Sequence, residues 1–184
     1  LLYTGGTTGF PKGVMWRQHD LFLAYAHAVA PQYGDDMDLE LMRQSLRSPG
    51  PVHVPACPLM HGTGWFTALM AMMTGGCVVT LTGRTFDAVE LLDTVEREGV
   101  NMMAIVGDAF AKPMLRALDA EPGRWDLSSL VAIISSGVMW SEASKQALLA
   151  HHPGMLLQDA FSSSEALNKG ASISSAGRAA DFVS

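Results

Sequence analysis

Short apolar runs alternate with amphipathic stretches between residues 52 and 158, and this alternation is compatible with few folds. The runs are rich in β-branched and other apolar residues, which predicts strands. The predicted strands are Val52–Cys57, Cys77–Thr82, Asn101–Val106, Leu130–Ser135 and Met155–Gln158. The predicted helices between them are Gly64–Thr74, Asp87–Glu98, Asp108–Leu118 and Ser141–His151. This order implies an α/β fold with a mostly parallel β-sheet flanked by helices, in which ligands gather at the carboxyl ends of the strands.

The two ends of the chain have weaker patterns. Leu1–Tyr3 predicts the end of a strand, and the alanine-rich stretch Asp20–Ala30 predicts a helix. Pro31–Pro51 is polar and contains glycine and proline, which predicts a surface excursion without regular structure. Residues 168–184 (NKGASISSAGRAADFVS) match no packed element, so we expect this tail to be loosely held.

The overall charge argues against one class of partner. The 184 residues carry a formal net charge of -6, whereas a nucleic-acid-binding protein needs a basic face. The longest apolar run, Trp65–Leu81, is interrupted by Gly75 and Gly76, so we expect no membrane span. Cys57 and Cys77 fit neither a disulfide framework nor a zinc pair. We expect two buried free thiols in a reducing compartment, the cytoplasm.

The sequence YTGGTTGFPKG, from Tyr3 to Gly13, has the composition of an anion-binding loop. Its glycines allow backbone N–H groups to turn inward around a phosphate, and Thr7, Thr8 and Lys12 add hydroxyl donors and a positive charge. It is not a Walker A loop, because glycine follows the lysine where that loop has serine or threonine. Residue types alone also allow a flexible glycine turn with a solvated lysine.

Four segments together resemble the adenylate-forming (AMP-binding) enzymes, a superfamily of acyl-CoA synthetases, luciferases and adenylation domains of peptide synthetases. YTGGTTGFPKG is similar to the phosphate loop, and PLMHGTGW (Pro58–Trp65) to the segment at the mouth of the acyl pocket. SSGVMWS (Ser135–Ser141) resembles the turn beneath the nucleotide base, and DAFSSSEA (Asp159–Ala166) the segment that closes on adenine and metal. Gly5 and VMWRQHDLF (Val14–Phe22) resemble the fatty-acyl and sterol-side-chain CoA ligases.

The resemblance implies a role for each matching residue. The phosphate-binding set is Thr4, Gly5, Gly6, Thr7, Thr8, Gly9 and Lys12. The other nucleotide-binding residues are Ser136, Gly137, Asp159, Ala160, Phe161 and Ser164. The catalytic set is Lys12, His61 and Glu165, and the magnesium ligands are Thr8 and Glu165. The acyl-site set is His61, Trp65, Phe66, Val138, Met139 and Ser162.

For several of these residues a plainer interpretation stays open. A lone histidine such as His61 is often a buried, hydrogen-bonded side chain, and an isolated glutamate is ordinarily a solvated charge. Trp65, Phe66, Val138 and Met139 are apolar, and simple core packing is an equal alternative for each of them.

Some positions depart from the usual family pattern: Gly5 stands in place of a serine, and Ser164 replaces a threonine but keeps the hydroxyl. Phe161 replaces a tyrosine, which keeps the ring but loses the hydroxyl, and Ser162 replaces a glycine.

The resemblance implies part of an ATP-dependent acyl-CoA synthetase, a ligase that converts a fatty or sterol side-chain acid to an acyl-adenylate and transfers it to coenzyme A. The implied cofactors are ATP, Mg²⁺ and coenzyme A, and the implied partner is a small-molecule carboxylic acid. Two alternatives remain: an adenylation domain that loads a carrier protein, and a non-catalytic nucleotide-binding module.

In the family's layout, residues 1–184 correspond to part of the AMP-binding domain, with an N-terminal subdomain and a C-terminal lid domain outside them. The lid carries a catalytic lysine, and neither Lys145 nor Lys169 has the context of that residue. We therefore expect the isolated chain to be inactive in adenylation.

Overall fold

A seven-stranded sheet forms the centre of the computed structural model, which describes residues 2–4, 10, 12–29, 38–161 and 170–183. The strands are β1 (Leu2–Thr4), β2 (Lys12–Val14), β3 (Val52–Pro55), β4 (Cys77–Val78), β5 (Met102–Ile105), β6 (Ala132–Ser135), β7 (Leu156–Ala160), β8 (Ala171–Ser175) and β9 (Arg178–Val183). The sheet order is β4-β3-β5-β6-β7-β8-β9, with parallel pairing from β4 to β7 and antiparallel pairing beyond. This confirms the predicted α/β class.

Helices cover both faces of the parallel part. They are α1 (Gln18–Val29), α2 (Leu39–Ser45), α3 (Gly62–Met73), α4 (Ala88–Glu98), α5 (Asp108–Ala120) and α6 (Glu142–His151). Side chains of α4, α5 and α6 share the main core with Val54, Ile133 and Leu157 of the strands. Helix α3 lies on the other face, where it contacts β3, β4 and β5. Because side chains alternate along a strand, neighbouring residues of β3 serve different cores.

Side-chain caps and a left-handed glycine define the ends of α4 and α6. Asp87 accepts hydrogen bonds from the backbone N–H groups of Val89 and Glu90, and Gly99 closes α4 in the left-handed conformation. Ser141 caps α6 through the backbone N–H of Ser144. These contacts satisfy backbone groups that would otherwise lack partners at the helix ends.

Four features differ from the sequence-based expectations. Helix α2, capped by Asp38, lies inside the predicted surface excursion. Strands β8 and β9 occupy most of the tail that was expected to be loose, because they extend the sheet beyond β7. The predicted strand Cys77–Thr82 is only the two-residue edge strand β4, and it is not buried. Accordingly Cys77 is exposed, while Cys57 is buried as expected.

A separate apolar cluster joins α1 to α3. Tyr25 is 1% exposed and packs against Phe66, with ring centroids 5.8 Å apart. Leu2 of the β1–β2 hairpin packs against the same cluster. The cluster therefore fixes the hairpin near the start of α3. Among the described residues, no helix has the length and apolar character that a membrane crossing requires.

His53 is the buried titratable group of the α3 face. Its Nδ1 lies 3.1 Å from the carbonyl oxygen of Met102, which can only accept, so Nδ1 carries the proton. Its Nε2 lies 3.0 Å from the Thr67 hydroxyl. Burial lowers the pKa of His53 from 6.5 to about 4, and the bond to Met102 opposes this only in part. The folded protein therefore holds a neutral imidazole at neutral pH.

We expect this histidine to make the protein acid-sensitive. Below pH 6.5 the unfolded chain protonates His53 while the folded chain does not, so the free energy of unfolding falls as the pH falls towards 4. Between pH 7 and pH 5 the free energy of unfolding should fall by about 2 kcal/mol. Urea unfolding at a series of pH values measures it. His53→Gln should remove most of this slope, and the exposed His19→Gln should keep it; equal slopes in all three proteins would contradict the assignment.

Candidate functional site

A cleft of about 530 Å³ opens at the carboxyl ends of β6 and β7. Its lining is the segment 135–140, which follows β6, and the segment 159–161, at the end of β7. Ser135 and Asp159 are directly paired across the two parallel strands, so the register of the sheet brings the two segments together. Seven residues predicted to bind nucleotide or acyl group meet here: Ser136, Gly137, Val138, Met139, Asp159, Ala160 and Phe161.

Gly107 supports the turn after β6 from below. Its backbone has φ 52° and ψ -149°, a combination that is essentially restricted to glycine. A Cβ atom at this position would stand 2.5 Å from the Met139 carbonyl oxygen and 2.7 Å from Val138 Cγ2. The Gly107 N–H also donates to the buried Ser135 hydroxyl at 2.9 Å. The absence of a side chain thus lets the turn lie directly on the start of α5.

Asp108 clamps the far end of the same turn. One carboxylate oxygen accepts from the Ser141 N–H at 3.1 Å and from the Ser141 hydroxyl at 3.0 Å, and the other pairs with Lys112 at 3.0 Å. Burial alone would raise the pKa of Asp108, but the hydrogen bonds from Lys112 and Ser141 outweigh it and hold the pKa at about 2. Asp108 is therefore ionised at neutral pH and joins α5 to the start of α6.

The start of α3 borders the cleft. A Cβ atom at Gly137 would lie 3.9 Å from the Thr63 hydroxyl, so the turn and the first turn of α3 are neighbours. His61 is the exposed N-cap residue of α3, and its side chain makes no capping hydrogen bond. Trp65 is half-buried against Phe66, with ring centroids 5.3 Å apart. Phe66 itself is 7% exposed and belongs to the α1–α3 core, which matches the plainer interpretation of that residue.

The phosphate loop is described only at its two strands. Thr4 pairs with Lys12 across the β1–β2 hairpin, and Lys12 is exposed. A Cβ atom at Gly62 would lie 3.7 Å from Leu2 Cδ2, so the hairpin approaches the start of α3. Eight predicted site residues lie outside the described residues: Gly5, Gly6, Thr7, Thr8, Gly9, Ser162, Ser164 and Glu165. Their roles stay predictions.

The match to known families agrees with this arrangement. The model of the AMP-binding enzyme family matches residues 1–174. The chain belongs to the AMP-binding enzyme family. It is 36% identical over 169 residues to the medium-chain acyl-CoA ligase Mig of Mycobacterium avium, which covers 90% of this chain and 30% of that protein. It is 34% identical over 181 residues to a medium/long-chain-fatty-acid–CoA/3-oxocholest-4-en-26-oate–CoA ligase of Mycobacterium tuberculosis, with 97% and 32% covered.

A solved structure supports the fold of this AMP-binding family member. The long-chain-fatty-acid-CoA ligase of Archaeoglobus fulgidus superposes with a TM-score of 0.66 at 20% identity, over 89% of this chain and 31% of that one. This likeness concerns the fold alone. The chain spans about a third of the length of the relatives it matches.

Two residues to which the motifs assigned no role support the cleft of this AMP-binding family member. Trp140 lines it while only 4% exposed. Lys145 of α6 is 5% exposed and forms an ion pair with Asp159. Lys145 lies on the same face of α6 as Leu148 and Leu149. This spacing in the sequence could have indicated a buried lysine, which needs an acidic partner. No group of three metal-ligating side chains occurs within the described ranges.

Gly107→Ala should destabilise the protein more than a matched glycine change. Gly99 also has a positive φ, 60°, but a Cβ there would meet nothing within 4 Å. Gly99→Ala should therefore cost about 1 kcal/mol, the ordinary left-handed penalty. Gly107→Ala adds a collision with the turn and should cost roughly 3 kcal/mol. Urea denaturation of both variants measures the difference, and equal losses would show that the turn does not rest on Gly107.

Proposed function

We propose that this chain forms the nucleotide-binding part of an ATP-dependent acyl-CoA synthetase. The observation that carries the proposal is the cleft at the ends of β6 and β7, where seven residues of two separate motifs line one space. Its volume of about 530 Å³ lies in the range of small-molecule and cofactor sites. The carboxyl edge of a parallel sheet is also where such ligands bind in open α/β folds.

The chemistry of the cleft fits a nucleotide. Phe161 is 52% exposed at the rim of the cleft, and a phenyl ring is a surface type on which a base can stack. Trp140 adds aromatic surface to the wall, and its indole N–H is buried behind that surface. Asp159 supplies a carboxylate acceptor in the same wall. Aromatic surface and an acceptor together suit a heteroaromatic base with its sugar.

The reaction would join a carboxylate to the α-phosphate of ATP and then pass the acyl group to coenzyme A. In the proposed arrangement, Thr4, Gly5–Gly9 and Lys12 hold the β- and γ-phosphates, and His61 borders the reacting carboxylate. Thr8 and Glu165 would hold Mg²⁺, which neutralises phosphate charge when bound. Catalysis would rest on positioning and electrostatic stabilisation by these residues.

An apolar acyl group is favoured by the surfaces beside the cleft. Val138 is 55% exposed and Met139 83% exposed, and both stand in the cleft wall. The relatives named above act on medium- and long-chain fatty acids and on 3-oxocholest-4-en-26-oate. We propose an acid of this apolar class as substrate.

Titration with MgATP tests the nucleotide site in the chain as it stands. We expect saturable shifts of the backbone amide resonances of residues 136–139 and of Thr7 in ¹⁵N-edited spectra, because the cleft and the phosphate loop would bind one ligand. Lys12→Met should weaken binding about tenfold by removing a phosphate-facing charge. The exposed Arg97→Met serves as the control for a lost positive charge. Shifts absent from both segments would refute the site.

A panel of carboxylic acids tests the proposed reaction. An enzyme of the relatives' length that contains this sequence should release pyrophosphate from MgATP with medium- to long-chain or sterol side-chain acids and form the CoA thioester. Transfer only to a carrier protein would indicate the alternative adenylation domain. No turnover with any acid would favour a nucleotide-binding module. The 184-residue chain alone should show no ATP–pyrophosphate exchange, and detectable exchange would overturn that expectation.

A further inference from the structure

Lys145 is a buried lysine behind the wall of the candidate site, and neither the motifs nor the proposed reaction uses it. Its side chain is 7% exposed, and it pairs with the Asp159 carboxylate through Oδ2. Its ammonium group also lies 5.7 Å from the ring centroid of Trp140, within the range of a cation–π contact. Lys145 therefore touches two residues that line the cleft.

The ion pair restricts what Asp159 can do. One oxygen, Oδ2, is occupied by Lys145, whereas Oδ1 has no hydrogen-bond partner among the described residues. The only other acid near Lys145 in the described part of the chain is Glu142, whose Oε2 is 3.9 Å away and whose side chain is 56% exposed. The pair holds the carboxylate in one orientation, because Lys145 occupies Oδ2 from inside the fold. Asp159 thus keeps one acceptor oxygen for a ligand in the cleft.

We propose that Lys145 is a positioning residue for the bound nucleotide. It acts through Asp159, whose second oxygen accepts a hydrogen bond from an amino or hydroxyl group of the nucleotide, and through Trp140, whose ring it backs. This proposal rests on the proposed nucleotide-binding function. It assigns Lys145 no contact with the ligand and no part in the chemistry of the lid's catalytic lysine.

Single and double variants of Lys145 and Asp159 distinguish an effect on nucleotide binding from an effect on stability. Lys145→Met should weaken MgATP binding by about tenfold or more and lower the thermal midpoint, because it leaves a buried carboxylate unpaired. Lys145→Met/Asp159→Asn removes both charges and should recover the midpoint without recovering the affinity, since the fixed carboxylate is gone. Arg97→Met, which also removes one positive charge, should bind like the unaltered chain. The proposal would be overturned if the double variant recovered both its thermal midpoint and its affinity for MgATP. It would also be overturned if Lys145→Met bound MgATP as tightly as the unaltered chain.

A second measurement tests the contact between Lys145 and Trp140 in the absence of nucleotide. The indole N–H resonance of Trp140, assigned by its disappearance in Trp140→Phe, should shift in Lys145→Met and stay unchanged in Arg97→Met. If the unaltered chain fails to bind MgATP, the proposed function fails, and this resonance still tests whether Lys145 holds the cleft wall. An unshifted resonance in folded Lys145→Met would refute the positioning role on its own.

Discussion

The parallel register of β6 and β7 is the constraint on which the candidate site depends. It pairs Ser135 with Asp159, so both strands end at one edge and release their following segments side by side. Because side chains alternate along a strand, a slip of one residue would move Asp159 to the α3 face and away from α6. The cleft is therefore a consequence of sheet pairing before any site residue contributes its own chemistry.

Two supports then give the turn after β6 its shape. Gly107 supplies space, because its missing side chain lets the backbone of Met139 approach. Asp108 supplies charge, because its carboxylate accepts two hydrogen bonds from Ser141. Adjacent residues at the start of α5 thus hold both the middle and the end of the turn. The turn is thus held through its backbone and through Ser141, while the side chains of Val138 and Met139 are exposed.

Local sequence patterns predicted most helices and strands of the fold but not the strand pairings that depend on distant parts of the chain. The helices and the parallel strands followed from hydrophobic periodicity and capping residues, which act within a few positions of the chain. The run Cys77–Thr82 has strand composition throughout, yet only two of its residues pair with β3 at the edge. Strands β8 and β9 were missed because their polar, small residues become a sheet only beside β7. Asp38 is of a residue type that commonly caps helices, but the segment around it has the composition of a loop. Helix α2 was therefore not predicted.

The same distinction holds for the site. Motif residues such as Ser136 and Asp159 could be assigned by resemblance, and the cleft brings them together. The dependence of the turn on Gly107 could not be predicted from the sequence. The turn lies about 30 residues further along the chain and approaches Gly107 only in the folded sheet. The pairing of Lys145 needs α6 packed on β7. The sequence shows that a buried lysine requires an acid, but only the fold selects Asp159 over Glu142.

The two faces of the sheet treat buried ionisable groups in opposite ways, and this has a functional logic. On the α3 face His53 is kept neutral, because its partners are a carbonyl and a hydroxyl and burial disfavours the charge. On the other face the buried Lys145 is paired with the carboxylate of Asp159, which lines the cleft. Under the proposed function, an apolar acyl group would gain from an environment like the first, where a buried histidine of the described residues is held neutral. A polar nucleotide would gain from the second, because a fixed carboxylate offers an oriented acceptor without the cost of reorganisation on binding.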